Sequence, residues 1–143
     1  MKFKNILAPL DLEGKSVPGL VAAAGIVRDH GGKITVVHVM TGASVTMGDT
    51  DHAAIPAKAQ AEDRARAKLK DIVDGATLDV PVETEVVWGD PAMEIHRLAA
   101  SIGADAIVIT VKNRSRVGKL LLGSHAQQII LGAERPVICV PLN

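Results

Sequence analysis

The chain has 143 residues, the size of one domain, and 48% of them are hydrophobic, so it can bury a sizeable core and extensive disorder is excluded. It balances 16 Lys and Arg against 16 Asp and Glu, so no overall charge attracts nucleic acid or anionic lipid. One Trp, one Phe and no Tyr also exclude the stacking platforms of a single-strand nucleic-acid binder. We expect a single domain over residues 1–143.

The first half of the chain predicts two strands and two helices. Residues 3–10 form a short apolar run, and apolar residues at helical spacing follow until the glycine pair at 31–32 ends that helix. Residues 33–40 are rich in β-branched side chains and predict a second buried strand. Residues 41–53 are rich in Gly, Ser, Thr and Asp, which predicts a mobile loop, and a long helix with a solvated outer face follows over 54–73.

The second half continues the alternation of strands and helices. Residues 82–88 alternate in polarity, which predicts a third strand near a sheet edge, and Asp90 followed by Pro91 predicts the start of a helix. Residues 105–110 and 136–140 predict the fourth and fifth strands. Five strands separated by helices indicate an α/β fold, a three-layer sandwich with a mainly parallel sheet.

The loop between the fourth strand and the last helix is the strongest candidate for a functional site. It contains four cations and no acidic residue, namely Lys112, Arg114, Arg116 and Lys119. Ser124 is expected to cap the following helix in a capping box with Gln127. Because unpaired N–H groups and the helix dipole meet at a helix N-terminus, the loop is suited to an anion, and a nucleotide phosphate is the leading ligand.

A second polar strand end, Pro9-Leu10-Asp11, follows the first strand. Ligands of open parallel sheets bind beyond the carboxyl ends of the strands, where the strand order reverses. If the first and fourth strands are neighbours, Asp11 faces the basic loop and can accept hydrogen bonds from ribose hydroxyls or an adenine amino group. An N-cap or turn role for Asp11, and a plain helix cap for Ser124, are the alternatives.

Other motifs give weaker indications of function. Residues 8–16 end in Gly-Lys-Ser and superficially resemble a P-loop, but Pro9 stands where the motif needs Gly or Ala, and Asp11 and Glu13 would repel phosphate. The five histidines show no metal-ligand spacing. We interpret His38 as a hydrogen-bonded core residue and His125 as a ligand contact.

The cysteine content and the hydropathy of the sequence bear on the cellular compartment and on the partners of the protein. Cys139 is the only cysteine, which excludes an internal disulfide, and its apolar strand predicts a structural thiol. No run approaches the roughly 20 apolar residues that cross a bilayer. We therefore expect a cytoplasmic protein without a membrane or nucleic-acid partner.

Taken together, four stretches resemble the universal stress protein family. They are residues 5–11 (NILAPLD), 88–92 (WGDPA), 103–109 (GADAIVI), and 119–124 (KLLLGS) leading to 136–141 (PVICVP). The resemblance implies the adenine nucleotide alpha hydrolase-like sheet order 3-2-1-4-5, which makes the first and fourth strands neighbours. It also implies a homodimer in which the final strand, residues 137–140, pairs across the two-fold axis.

The resemblance also implies a phosphate motif, from which this chain departs. ATP-binding members carry Gly-x2-Gly-x9-Gly-Ser/Thr after strand four, and this frame falls on Thr110, Asn113, Gly123 and Ser124. Only the final Gly-Ser is retained. Asn113 tolerates a left-handed conformation, whereas the β-branched Thr110 tolerates it poorly, and its Cβ is expected to crowd a nucleotide. The loop cations would offset this poorer cradle by charge-assisted hydrogen bonds.

The predicted ligand is ATP or another adenine nucleotide, with or without magnesium. Asp11 would hold the base or ribose, and residues from Thr110 to His125 would line the phosphates. The full candidate site is Pro9, Leu10, Asp11, Val39, Ile109, Thr110, Asn113, Arg114, Gly123, Ser124 and His125.

These observations favour a stress-response dimer with a regulatory nucleotide site. The alternative is a nucleotide-free dimerisation or adaptor module for an unidentified protein partner. A slow ATPase ranks third, because no general base is apparent near the loop, and we assign no catalytic residue.

Overall fold

A five-stranded parallel sheet forms the centre of the computed structural model, which describes residues 2–42, 51–112 and 122–142. The strand order is β3-β2-β1-β4-β5, and every neighbouring pair is parallel. In chain order the elements are β1 (Asn5–Pro9), α1 (Val17–Arg28), β2 (Lys33–Met40), α2 (Asp51–Gly75), β3 (Val82–Trp88), α3 (Pro91–Ile102), β4 (Ala106–Lys112), α4 (Ser124–Leu131) and β5 (Val137–Leu142). The predicted strand order is confirmed, and β3 lies at an edge as its alternating sequence indicated.

Helices cover both faces of the sheet. On one face, Leu20 of α1 and Leu69 of α2 pack with Ile6 and its neighbours in one core cluster. On the other face, Ile95 of α3 and Ile129 of α4 belong to a second cluster. The predicted three-layer α/β architecture is therefore confirmed. Within the described ranges, no helix combines the length and apolarity needed to cross a lipid bilayer.

The ends of α3 follow from its sequence. The Asp90 carboxylate accepts a hydrogen bond from the Met93 N–H at 3.0 Å, and Pro91 is the first helical residue, as predicted. Gly103 ends the helix with a φ of 65°, a left-handed conformation that glycine adopts without a Cβ penalty. This capping fixes the direction in which the chain enters β4.

The start of α4 differs from the prediction. Gly123 is the N-cap residue and makes no side-chain cap, and Ser124 is already the first helical residue. The Gln127 amide donates instead to the Leu122 carbonyl at 3.0 Å. The predicted capping box at Ser124 is wrong, because the N-cap position, from which a hydroxyl accepts the N3 N–H, is occupied by Gly123, which has no side chain.

The bounds of β1, β4 and β5 also differ from the predicted ranges 3–10, 105–110 and 136–140. The first strand begins at Asn5, and before it the Phe3 N–H donates to the His30 ring at 3.1 Å and the Lys4 N–H donates to the Asp105 carboxylate at 2.9 Å. The fourth strand continues to Lys112, which pairs with Leu142. Pairing with β5 therefore lengthens β4 beyond the predicted end.

Candidate functional site

A cavity of about 400 Å³ lies at the carboxyl edge of the sheet, between the strand ends and helices α3 and α4. Pro9, Val39 and Ile109 contribute apolar walls from the ends of β1, β2 and β4, and Ile95 and Ile129 contribute from the helices. The connections from β1 and from β4 leave the centre of the sheet toward opposite edges. The cavity therefore lies at the topological switch point, where parallel sheets bind ligands.

The Asp11 carboxylate lies in the cavity wall and organises the turn between β1 and α1. Its Oδ1 accepts from the Ser16 N–H at 3.0 Å and from the Ser16 hydroxyl at 2.9 Å. Its Oδ2 accepts from the Lys15 N–H at 3.4 Å. The two backbone N–H groups that a P-loop would offer to phosphate are thus bonded to a carboxylate, which agrees with our rejection of that motif.

These contacts set the ionisation of Asp11. Burial alone would raise its pKa, but the hydrogen bonds from the Ser16 hydroxyl and from the Ser16 and Lys15 N–H groups outweigh burial and hold the pKa below its ordinary value of 3.8. Asp11 is therefore ionised at neutral pH. It presents a negative acceptor at the rim of an otherwise mostly apolar cavity.

His38 links β2 to the same turn. Its Nδ1 lies 2.9 Å from the Leu10 carbonyl oxygen, and the Leu10 N–H donates to the Val37 carbonyl at 2.8 Å. Because a carbonyl oxygen only accepts, Nδ1 carries the proton in this contact. Leu10 is thereby fixed on both sides immediately before Asp11, and His38 has the hydrogen-bonded role that the sequence predicted.

The structure brings seven of the predicted site residues around the cavity, and these are Pro9, Leu10, Asp11, Val39, Ile109, Thr110 and His125. Gly123 and Ser124 are not in its wall and lie exposed at the N-terminus of α4. Asn113 and Arg114, together with Arg116 and Lys119, lie outside the described residues.

The cavity wall includes eight residues that sequence reasoning did not assign to it, and these are Ser16, Val37, His38, Thr41, Pro91, Ile95, Ala126 and Ile129. The end of β2 borders β1, so the strand-end argument that selected Asp11 could also have selected Val37 and His38. The helix residues gave no such signal, because helical periodicity identifies a buried position without showing which part of the core stays unfilled.

The described residues do not form a metal site. Among the residues described, no group of three or more His, Cys, Asp or Glu side chains is placed to hold a metal ion. Cys139, on β5, has a pKa raised by burial, so its thiol is protonated at neutral pH, as suits a packing residue.

The chain has relatives among known proteins. The model of the universal stress protein family matches residues 2–141. "Universal stress protein G" of Escherichia coli O157:H7 is 29% identical over 141 residues, which cover 96% of this chain and 99% of that protein.

Two solved structures share the fold along the whole chain. A universal stress protein in complex with cAMP has a TM-score of 0.61 at 20% identity and covers 100% of both chains. The universal stress protein from Archaeoglobus fulgidus in complex with dAMP has a TM-score of 0.54 at 22% identity, covering 98% of this chain and 99% of that one. The chain belongs to the universal stress protein family.

Proposed function

We propose that this protein binds an adenine nucleotide in the cavity at the carboxyl edge of its sheet and that occupancy of the site is regulatory in a stress response. ATP, with or without magnesium, is the ligand the sequence favours. The observation that carries the proposal is the cavity itself, which remains open although Thr110 stands where ATP-binding relatives have glycine. The cytoplasmic location stays a prediction.

The chemistry of the wall suits a nucleoside. Val39, Ile109, Ile95 and Ile129 offer apolar surfaces to a flat base, because mostly apolar pockets with a few polar groups are typical of small-molecule sites. The ionised Asp11 carboxylate offers an acceptor to ribose hydroxyls or to an exocyclic amino group. Two relatives of the same fold are described with adenine nucleotides, cAMP and dAMP, which supports this ligand class.

Isothermal titration with ATP and with AMP, each with and without magnesium, tests the proposal. We expect a Kd between about 1 μM and 1 mM for at least one of them, equivalent to about 4–8 kcal/mol of binding free energy. Ala126→Leu adds bulk to the cavity wall and should weaken binding about tenfold or more.

The matched control is Ala100→Leu, the same change at an exposed position of α3, and it should bind like the wild type. Absence of heat at millimolar nucleotide in the wild type would leave the nucleotide-free adaptor as the better description. Equal weakening by both leucine variants would place the ligand elsewhere.

We further propose that the protein is a homodimer that pairs through β5. Val137, Ile138, Cys139 and Val140 form an apolar run on an edge strand, and all four are only half-buried in the single chain. An apolar edge strand exposes unpaired N–H and C=O groups, which a second copy can pair with.

A further inference from the structure

Thr110 connects β4 to the start of α1 through its side chain. Its hydroxyl donates to the Ser16 carbonyl at 3.0 Å and accepts from the Gly19 N–H at 2.9 Å. These partners lie 94 and 91 residues away in sequence. The Thr110 hydroxyl therefore uses both its proton and one oxygen lone pair to bind the start of α1, which is distant in sequence.

Gly19 makes room for this contact. A Cβ at Gly19 would lie 2.5 Å from the Thr110 Oγ1, a distance that real Cβ atoms essentially never show. The Gly19 N–H belongs to the first turn of α1, where N–H groups have no partner within the helix. The residues Thr110 and Gly19 are thus complementary in size and in hydrogen bonding.

Thr110 accepts a hydrogen bond from the first turn of α1, a capping role that the side chain of the N-cap residue does not fill. Ser16 is the N-cap residue of α1 but makes no side-chain cap, because its hydroxyl is bonded to Asp11 at 2.9 Å. A hydrogen-bonded series consequently runs from Thr110 to the Ser16 carbonyl, and from the Ser16 N–H and hydroxyl to the Asp11 carboxylate. Asp11, Ser16 and Thr110 all line the cavity.

We infer that Thr110 is a positioning residue of the nucleotide site, which holds Asp11 at the cavity rim through Ser16 and the first turn of α1. This inference rests on the proposed nucleotide binding. It reverses the expectation drawn from the family motif, in which threonine in place of glycine degrades the site. Glycine at position 110 would remove both hydrogen bonds and release the turn that carries Asp11.

Three variants of Thr110 separate positioning from crowding when AMP is titrated calorimetrically. Thr110→Ser keeps the hydroxyl and should bind within about twofold of the wild type, whereas Thr110→Val and Thr110→Gly lose it and should bind about tenfold more weakly. Thr35→Val is the matched control, because the buried Thr35 hydroxyl on β2 has no hydrogen-bond partner among the described residues. It should leave the affinity unchanged.

A measurement without ligand separates this inference from the proposed function. Amide hydrogen exchange at Gly19 and Ser16 should accelerate about tenfold in Thr110→Val and stay near the wild-type rate in Thr110→Ser and Thr35→Val. AMP affinity that is equal or higher in Thr110→Gly overturns the inference, as does unchanged exchange in Thr110→Val. If the wild type binds no adenine nucleotide, the proposed function fails, and the exchange rates still decide whether Thr110 holds the turn.

Discussion

At the scale of single residues, Asp11 has a turn role in the structure and a proposed ligand role. The sequence left its role open between a turn and a nucleotide contact, and the structure gives it the turn role through Ser16 and Lys15. A carboxylate has about four acceptor positions, and the three hydrogen bonds from the described residues leave capacity for another donor. The turn contacts therefore fix the carboxylate in place, and the turn role is compatible with the proposed ligand role.

The lowered pKa of Asp11 predicts a pH-dependent contribution to stability. A carboxyl group whose pKa is lower in the folded than in the unfolded state stabilises the fold above the unfolded pKa, and this contribution is lost as pH falls through the folded pKa. The penalty of Asp11→Asn in the free energy of unfolding should thus be larger at pH 7 than at pH 2–3. Because Asp11 is partly exposed, we expect a difference of at most about 1 kcal/mol in urea unfolding.

Glu13→Gln is the control for this measurement. Glu13 lies in the same turn, and its contact is an exposed ion pair with Lys15 at 3.7 Å. Exposed pairs contribute little, so this variant should track the wild type at both pH values. A penalty for Asp11→Asn that does not change with pH would show that the hydrogen-bond geometry, and not the charge, stabilises the turn.

At the scale of elements, the sequence predicted what local chemistry decides. The start of α3 was predicted correctly because Asp90 and Pro91 act within one turn. The end of β4 was not, because Lys112 joins the strand by pairing with Leu142, which is distant in sequence.

The turn after α2 contains a strained residue that no sequence pattern revealed. Thr77 has a φ of 52°, a left-handed conformation that a β-branched residue rarely adopts. Thr77→Gly should raise the free energy of unfolding by about 0.5–1 kcal/mol, because relief of the strain exceeds the added entropy of the unfolded chain. Chemical denaturation measures this.

The matched control for Thr77 is Thr84→Gly, at an exposed residue of strand β3 with ordinary extended backbone. Glycine should there destabilise the protein by about 0.5–1 kcal/mol. The same sign of change at both positions would contradict the explanation by strain.

At the scale of the whole molecule, the candidate site was predictable on its sheet side and, among the helix residues, only at His125 of α4. Pro9, Asp11 and Ile109 could be placed because the carboxyl ends of neighbouring parallel strands meet at one edge. The apolar side chains that α3 and α4 contribute could not be placed, because Ile95 and Ile129 belong to the same core cluster whether or not a cavity lies beside them. An unfilled volume is a property of the assembled layers and of no single element.

The proposed dimer would use backbone N–H groups on the open edge of β5, and the β-ladder indicates which residues carry them. Ile107 pairs with Val137 and donates its N–H to the Pro136 carbonyl. The backbone groups of alternate β5 residues therefore bond to β4, whereas Val137 and Cys139 direct their N–H groups to the open edge. Cys139→Pro removes one such N–H and keeps the bonds to β4. If β5 pairs between copies, this variant should be a monomer of 15.0 kDa in light scattering, whereas the wild type has twice that mass.

The opposite edge of the sheet provides the control. Ile34 pairs with Val82 and donates to the Pro81 carbonyl, so the N–H of Thr84 faces the open side of β3 in the same way. Thr84→Pro should therefore cost similar stability but leave the dimer intact, because β3 carries Glu83 and Glu85 and is a poor edge for pairing. A wild type that is monomeric at high micromolar concentration, or a dimer that survives Cys139→Pro and dissociates with Thr84→Pro, would assign the interface to another surface.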